Sequence, residues 1–343
     1  ISATKFPFNE EAEYTHASPA DINFKSVAQI EGTEFDVVYP SLQEAIDAAA
    51  NGDVVTLLKD NEENVTVVQA PDVAFTIDGA EKTMSGTITV NGKSAAYATA
   101  GLTIKNVNFD ATNISKDASI NLGGNNNIRY TNGVTVENCD FAGDDQTKVA
   151  IKNYTGGCKN LTVTGGTFTG LHSLMQVKGV DGLAVSGVNV SDCKNGVSVG
   201  TSTNVAISSS VITATGYGVR ADGGDYKMTL TNNNISAELP VVVRKAEEFA
   251  YNLTIAGDNN NFTAKKQGNN PEGYQVVFTT GDDGTYLAPT TGQFVLSVPE
   301  NFNVYPVYVA QVGNLKYTSV DAALTAAQPG DVVQIFAGTY NLA

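Results

Sequence analysis

Residues 161–199 read LTVTGGTFTGLHSLMQVKGVDGLAVSGVNVSDCKNGVSV and contain two copies of one short pattern. Each copy has an apolar residue, Thr or Ala, a second apolar residue, a small polar turn and then one large apolar residue. Leu161, Val163 and Phe168 hold the apolar positions of the first copy, and the second copy starts at Leu183, 22 residues later. This alternation is typical of short β-strands with one buried face.

The same pattern recurs through the middle of the chain. Its copies start 32, 27, 22, 22, 23 and 25 residues apart, at Leu102, Val134, Leu161, Leu183, Val205, Met228 and Leu253. A second alternating strand follows each copy, and no helical periodicity lies between them. The sequence therefore predicts an all-β parallel solenoid of ~22–25 residues per coil, in which each coil buries its apolar residues against its neighbours. A β-propeller needs ~40 residues per blade, and a Greek-key sandwich would not give seven copies in register.

The solenoid predicts which side chains are buried and where the chain turns. We expect a stacked core of Leu102, Ile104, Phe109, Val136, Phe141, Val163, Phe168, Val185, Val199, Ile207, Ile212, Val219, Leu230 and Val243. One turn position after the first strand of each copy holds Asn106, Asn138, Gly165, Gly187, Ser209, Asn232 or Gly257. These residues tolerate the left-handed conformation, and the Asn side chains either form a ladder or only make the turn.

Both ends of the repeat region carry a helix signal. Ser41 and Glu44 form a capping box that opens an amphipathic helix over roughly residues 41–50, which we expect to plug the first coil with Leu42, Ala45 and Ile46. Residues 319–335 align without gaps onto residues 41–57. We therefore divide the chain into an N-terminal extension (1–37), a β-helix with its capping helix (38–280), C-terminal strands or a linker (281–308) and a second cap unit (309–343). The second unit is expected to start another β-helix beyond Ala343 or to cap the first one.

The helix, the Gly-Asp-Val-Val that follows it at residues 52–55 and the rungs of the form LTIKN…F…GVSV resemble a known family. They are similar to the right-handed parallel β-helix of the pectin-lyase-like superfamily, over roughly residues 38–280. The resemblance implies that Val197–Val199 lie in a sheet whose outer face carries the active site in many of the family's enzymes. It leaves function open, because the superfamily includes lyases, hydrolases, esterases, phage tailspikes and adhesins.

Composition excludes several classes of protein. The chain has 343 residues and a net charge of −16, which argues against nucleic-acid binding. It has no apolar run of ~18 residues that would span a membrane. Cys139, Cys158 and Cys193 show neither a disulfide framework nor zinc spacing. We expect no cofactor; calcium would fit related lyases, but Asp144, Asp145, Asp192, Asp222 and Asp225 show no ligand spacing.

The outward positions of the second strands suggest a candidate site. They include no Asp or Glu, which argues against a glycosidase with paired carboxylates. Lys152, Lys178, Arg220 and Arg244 are expected to occupy one register position, with Gly200 in the gap. Such a basic column would be a solvated surface paired with loop acids such as Asp222 or Glu247, a binding site for an acidic glycan, or part of a lyase site. His16 and His172 are each a candidate base, but as lone histidines without a named partner they are interpreted as surface residues.

These features lead to three functional hypotheses. The first is an exported bacterial β-helix protein, at the cell surface, in the periplasm or outside the cell, that acts as a non-catalytic adhesin or a glycan-binding or display module. The second is a polysaccharide lyase or another carbohydrate-active enzyme acting on acidic polysaccharide. The third is a structural stalk. The expected partner is an acidic polysaccharide or a cell-surface glycan, and the sequence leaves the oligomeric state open.

Overall fold

The protein is a right-handed parallel β-helix closed by a short N-terminal helix. A computed structural model describes residues 26–31, 36–70, 72–92, 101–123, 131–153, 157–223, 227–244, 251–256, 259–268, 270, 272–279, 294–297, 302–305, 308–313, 315–336 and 338. Within these residues all but the first and last coils contribute one strand to each of three sheets, and strands of successive coils pair in parallel. The predicted all-β fold and the parallel stacking are confirmed.

The sheets have ten, eight and sixteen strands within the described residues. The ten-stranded sheet contains Val65–Gln69, Ile88–Gly92, Ala118–Leu122, Val149–Asn153, Ser173–Lys178, Asn195–Gly200, Tyr217–Asp222, Leu239–Arg244, Val276–Thr279 and Val304–Tyr305. The eight-stranded sheet contains Thr83–Met84, Asn108–Asp110, Asp140–Ala142, Thr167–Thr169, Asn189–Cys193, Val211–Ala214, Asn234–Ala237 and Asn261–Ala264. The sixteen-stranded sheet contains Ala28–Ile30, Val37–Tyr39, Val54–Leu57, Phe75–Asp78, Leu102–Lys105, Thr131–Asn132, Val134–Glu137, Cys158–Thr164, Val180–Ser186, Thr203–Ser208, Met228–Thr231, Tyr251–Ala256, Phe294–Ser297, Ala310–Val312, Leu315–Tyr317 and Val333–Ile335.

The core consists of identical positions stacked from coil to coil. Phe109, Phe141 and Phe168 pair in register and lie face to face, with ring centroids 4.6 and 4.9 Å apart. All fourteen residues of the predicted core are buried, none with more than 2% of its surface exposed. Because each side chain packs against its counterpart one coil away, the alternation of single strands was enough to predict this core.

The turn between the sixteen- and eight-stranded sheets adopts the left-handed conformation. Asn106, Asn138 and Asn232 have φ of 52°, 49° and 56°, and Gly165 and Gly187 have φ of 66° and 65°. A Cβ on Gly165 would lie 2.3 Å from the side-chain oxygen of Asn138 in the preceding coil. Only glycine therefore fits at position 165. The predicted conformation is confirmed at these positions, while Gly257 lies outside the described residues.

The N-terminal cap contains more of the chain than the capping helix alone. Helix α1, Leu42–Ala48, begins after Ser41, whose hydroxyl accepts a hydrogen bond from the amide of Glu44, and it buries Leu42, Ala45 and Ile46. Ala28–Ile30 pairs antiparallel with both Val37–Tyr39 and Val54–Leu57. The first strand of the cap therefore lies within residues 1–37, which the sequence interpretation had treated as an extension.

The solenoid also continues past residue 280. Phe294–Ser297 adds in parallel to Tyr251–Ala256, and Val304–Tyr305 adds in parallel to Val276–Thr279. A second helix, α2, covers Val320–Ala326. Neither helix of the described residues is long and apolar enough to cross a membrane.

Candidate binding face

The three sheets differ in the charges that their strands carry. Within the described strands, the ten-stranded sheet has only five charged side chains: Lys152, Lys178, Arg220, Asp222 and Arg244. The described strands of the eight-stranded sheet carry three aspartates and no lysine or arginine, and those of the sixteen-stranded sheet carry three lysines and three carboxylates. The ten-stranded sheet is therefore the cationic side of a chain whose net charge is −16. We call its outer surface the cationic face.

The four basic residues of the cationic face form two columns, so the prediction that they share one register position is wrong. Lys152 pairs with Gln176, and the column continues through Ser198 to Arg220. A second column, two residues further along each strand, contains Lys178, Gly200, Asp222 and Arg244. At ~4.8 Å per coil, the two cations within each column are about 14 Å apart. Along the solenoid axis, the four cations belong alternately to the first and to the second column.

Three of the four cations lie beside a carboxylate. Asp222 accepts hydrogen bonds from Nε of Arg220 at 3.0 Å and from Nε of Arg244 at 2.8 Å. The ammonium of Lys152 lies 3.2 Å from Asp117, just before the strand Ala118–Leu122. The sequence interpretation placed Asp222 in a loop, but it ends the strand Tyr217–Asp222 and lies within the column itself. Glu247, the other acid considered, lies outside the described residues.

Lys178 differs from the other three cations. Its side chain is exposed, and no carboxylate of the described residues lies within salt-bridge distance of it. Its neighbour in the column, Gly200, has no side chain, and a Cβ added there would lie in van der Waals contact with Cγ of Lys178, at 3.4 Å. The middle of the cationic face therefore has one exposed lysine next to a residue without a side chain.

His172 lies at the start of the strand Ser173–Lys178, next to the first column. Its Nδ1 is 3.0 Å from the side-chain amide nitrogen of Gln176. Partial burial lowers the pKa of His172, and the nearby charges of Lys194 and Lys152 lower it further. The imidazole is therefore held neutral near pH 7 and contributes a polar, uncharged edge to the cationic face.

In the earlier coils the same register position holds neutral polar groups that are buried. Thr89 and Asn121 share a register position with Lys152, and both are buried, with 6% and 2% exposure. The side-chain oxygens of Asn91, Ser119 and Asn121 have no hydrogen-bond partner, and the ammonium of Lys116 donates to Thr89 at 2.8 Å. Buried oxygens of this kind are normally satisfied by a bound group or water.

The remaining chemically reactive residues form no second site in the described part of the chain. Cys139, Cys158 and Cys193 are free thiols in the core, and burial raises the pKa of Cys139 to about 12 and that of Cys158 and Cys193 to about 11. No three His, Cys, Asp or Glu side chains of the described residues gather as metal ligands. Asp225 and His16 lie outside those residues.

Comparison with known proteins agrees with this architecture. Residues 86–239 match the family model described as a right-handed beta helix region. This part of the chain is a right-handed parallel β-helix. No curated protein sequence matches the chain.

Solved structures with a related fold are only distantly similar. The enzymatically active domain of tailspike protein 2 from bacteriophage CBA120 is 12% identical, with a TM-score of 0.39, over 70% of this chain and 43% of that one. The A-module of a mannuronan C-5 epimerase from Azotobacter vinelandii is 13% identical, with a TM-score of 0.29, over 77% of this chain and 83% of that one. The β-helix thus spans less than half the length of the tailspike structure. At this distance the similarity concerns the fold alone.

Sequence reasoning missed one residue of the cationic face, Asp117, and did not place two others, Asp222 and His172, on it. Asp117 lies outside the strand pattern, because it precedes the strand Ala118–Leu122. The sequence interpretation assigns Asp222 to a loop and His172 to the surface without a role in the site. A signal for Asp222 was available, since it lies two residues after Arg220, and period-two alternation places both on one face.

Proposed function

We propose that this β-helix is a non-catalytic binding module whose cationic face holds an extended acidic polysaccharide. The observation that carries the proposal is the segregation of charge: the described strands of this one sheet hold four cations and one carboxylate in a chain of net charge −16. A surface that keeps cations together against the overall charge favours an anionic partner.

The spacing of the cations suits a polymer better than a small ligand. Lys152 and Arg244 lie four coils apart, which corresponds to about 19 Å along the solenoid axis. Between them the outer side chains are small or neutral at Gln176, Ser198 and Gly200. An extended chain with regularly spaced carboxylates would run along this surface and contact cations of both columns.

The decisive experiment compares two double substitutions of equal charge. Lys152→Gln with Lys178→Gln removes two cations from the cationic face, and Lys105→Gln with Lys159→Gln removes two from the outer surface of the sixteen-stranded sheet. Binding of polygalacturonate, alginate and a neutral glucan is measured by calorimetry at low and high salt. We expect the first variant to lose at least about tenfold in affinity for the polyuronates and the second to bind as the parent does.

Two results would refute the proposal. One is equal loss of affinity in both double variants, which would mean that only the net charge matters. The other is tight binding of the neutral glucan, with no dependence on salt, because the binding of an anionic polymer to exposed cations must weaken as salt screens them.

A lyase acting on the same type of polymer is the second candidate, and His172 is the observation that favours it. A neutral imidazole beside Lys152 has the properties of a base that removes the proton α to a uronate carboxylate, with the ammonium offsetting the charge that develops there. Elimination would then break the bond to the neighbouring sugar and leave an unsaturated product. Absorbance of that product during incubation with each polyuronate distinguishes the lyase from the binding module.

The proposal includes export from a bacterial cell, on the basis of the acidic, Thr- and Asn-rich composition. A polysaccharide-binding face is useful only where such polymers occur, at the surface, in the periplasm or outside. Immunodetection after cell fractionation tests this part, and a purely cytoplasmic location would contradict it.

A further inference from the structure

The two ends of the molecule are built from the same structural unit. The N-terminal unit, residues 27–31 and 36–58, contains a central strand that pairs antiparallel with two others, Ala28 with Tyr39 on one side and with Leu57 on the other. The C-terminal unit, residues 309–313 and 315–336, repeats this arrangement, and Ala310 pairs with Tyr317 and with Ile335. In both units the helix lies between the second and the third strand.

The two units also have equivalent hydrogen bonds at corresponding positions. The amide of Val27 donates to Tyr39 at 2.8 Å, and the amide of Val309 donates to Tyr317 at 2.9 Å. Aspartates in the turn after each helix accept from a backbone amide at 2.8 Å, Asp53 from Ala50 and Asp331 from Gln328. The similarity of residues 41–57 and 319–335 is therefore a duplication of structure as well as of sequence.

The units differ in what covers their apolar surfaces. Ile46 and Leu57 are buried, with 6% and 1% exposure, whereas their counterparts Leu324 and Ile335 are exposed by 50% and 48%. Val332, the counterpart of Val54, is 79% exposed. The strand Val333–Ile335 is also the last in its sheet, so its outer edge has no neighbouring strand in the described residues. We call this edge, together with Leu324, Val332 and Ile335, the C-terminal apolar face.

At the N-terminal unit, the equivalent surface is covered by the first solenoid coil. Phe75–Asp78 pairs in parallel with Val54–Leu57, Val55 opposite Ile77. Helix α1 is fixed to the same coil by hydrogen bonds from the amide of Thr66 to the side chain of Gln43 and from that side chain back to the carbonyl of Thr66. The unit is therefore a platform on which a coil stacks, and the coil follows it directly in the chain.

We infer that the C-terminal apolar face is the platform for the first coil of a second β-helix, which follows in the same polypeptide. In the expected register, a strand pairs in parallel with residues 332–334, with an apolar residue opposite Val333 at the position that Ile77 has opposite Val55. This coil would cover Leu324 and Ile335.

Among the described residues, a second copy of this chain offers no coil strand of the sixteen-stranded sheet with an unpaired edge, because the other open edge of that sheet, Val37–Tyr39, belongs to the N-terminal unit. The coil that stacks on its N-terminal unit is already paired with Val54–Leu57 of that same copy. At its other end, Phe294–Ser297 is paired antiparallel with Leu315–Tyr317 of its own C-terminal unit. The end coils of the solenoid are thus already paired with the cap units of the same chain in this sheet, so a coil that stacks on the apolar face in the way that Phe75–Asp78 stacks on Val54–Leu57 has to come from another segment.

Hydrogen exchange read by mass spectrometry tests the inference on the intact natural gene product and on the chain ending at Ala343. We expect the intact product to extend beyond Ala343, and residues 332–335 to exchange at least about tenfold more slowly in it than in the shorter chain. Residues 54–57 should be equally protected in both. A natural product that ends at Ala343, equal exchange of residues 332–335 in both proteins, or protection that appears only on dimerisation of the shorter chain would overturn the inference.

A pair of substitutions supplies a second measurement that does not depend on exchange rates. Leu324→Ser with Ile335→Ser should lower the thermal unfolding midpoint of the intact product and leave that of the chain ending at Ala343 unchanged. The matched control, Ile46→Ser with Leu57→Ser, should destabilise both proteins, because its residues are buried in both. A Leu324 and Ile335 variant with no effect on the intact product would contradict a covered apolar face.

Discussion

The ten-stranded and eight-stranded sheets enclose the same core, but their outer surfaces have opposite charge. Val199 and Phe168 are equally buried beneath the two sheets. Most charged side chains on the described strands of the ten-stranded sheet are cations, whereas the charged side chains on those of the eight-stranded sheet are all aspartates. The comparison shows that stacking determines every second residue of a β-helix and leaves the alternate residues available for function.

The largest expected effect comes from a substitution in the hydrophobic core that lies beneath both sheets. Phe141→Ala should destabilise the protein by about 3–5 kcal/mol, because it opens a cavity in the stacked phenylalanine column. Both outer surfaces should be lost together, since they depend on one core. The denaturation midpoint checks this, with Thr169→Ala on the outer side of the neighbouring coil as the control. Loss of polyuronate binding with an unchanged midpoint would contradict a common core.

A carboxylate on each surface provides the next comparison. Asp222→Asn should release the guanidinium groups of Arg220 and Arg244 and increase polyuronate affinity about threefold to tenfold, since one negative charge leaves the cationic face. Asp140→Asn removes the same charge from the eight-stranded sheet, where Asp140 accepts hydrogen bonds from Thr167. It should leave affinity unchanged. Calorimetry of both variants decides, and equal gains would show that position is irrelevant.

The smallest expected effect concerns pH. The pKa of His172 is lowered in the folded protein, so the unfolded chain binds this proton more readily and stability should decrease as pH falls below about 6.5. Above that value the contribution is fully present. His172→Gln should flatten this part of the profile of unfolding free energy against pH. An unchanged slope in the variant would show that another group titrates there.

Much of the fold could be predicted because one rule repeats. The alternation around Leu161 and Phe168 recurs in each copy, and a capping box marked the start of α1. The register of the basic residues could not be predicted in the same way. A shift of two residues leaves every side chain on its own side of the sheet, so alternation cannot distinguish one column from two. Only the pairing of Lys152 with Gln176, and of Lys178 with Gly200, separates them.

The stacking of the coils also determines which acid lies next to each basic side chain. Asp117 and Lys152 are 35 residues apart in sequence, yet one coil brings their side chains to 3.2 Å. Loops of different length precede the strands, and the sequence does not indicate which residue they bring opposite a given side chain. The pairing of the cations with acids therefore needed the structure, whereas the presence of cations on this surface did not.

Gly200 allows the most direct test of the central claim. It lies in the column between Lys178 and Asp222, where an added Cβ would make only van der Waals contacts. Gly200→Glu and Gly200→Gln add side chains of nearly the same size to the middle of the cationic face and differ by one negative charge. We predict that the Glu variant binds polygalacturonate at least about tenfold more weakly than the Gln variant at low salt, and that the difference shrinks as salt is added. Equal affinity of the two variants would contradict the account.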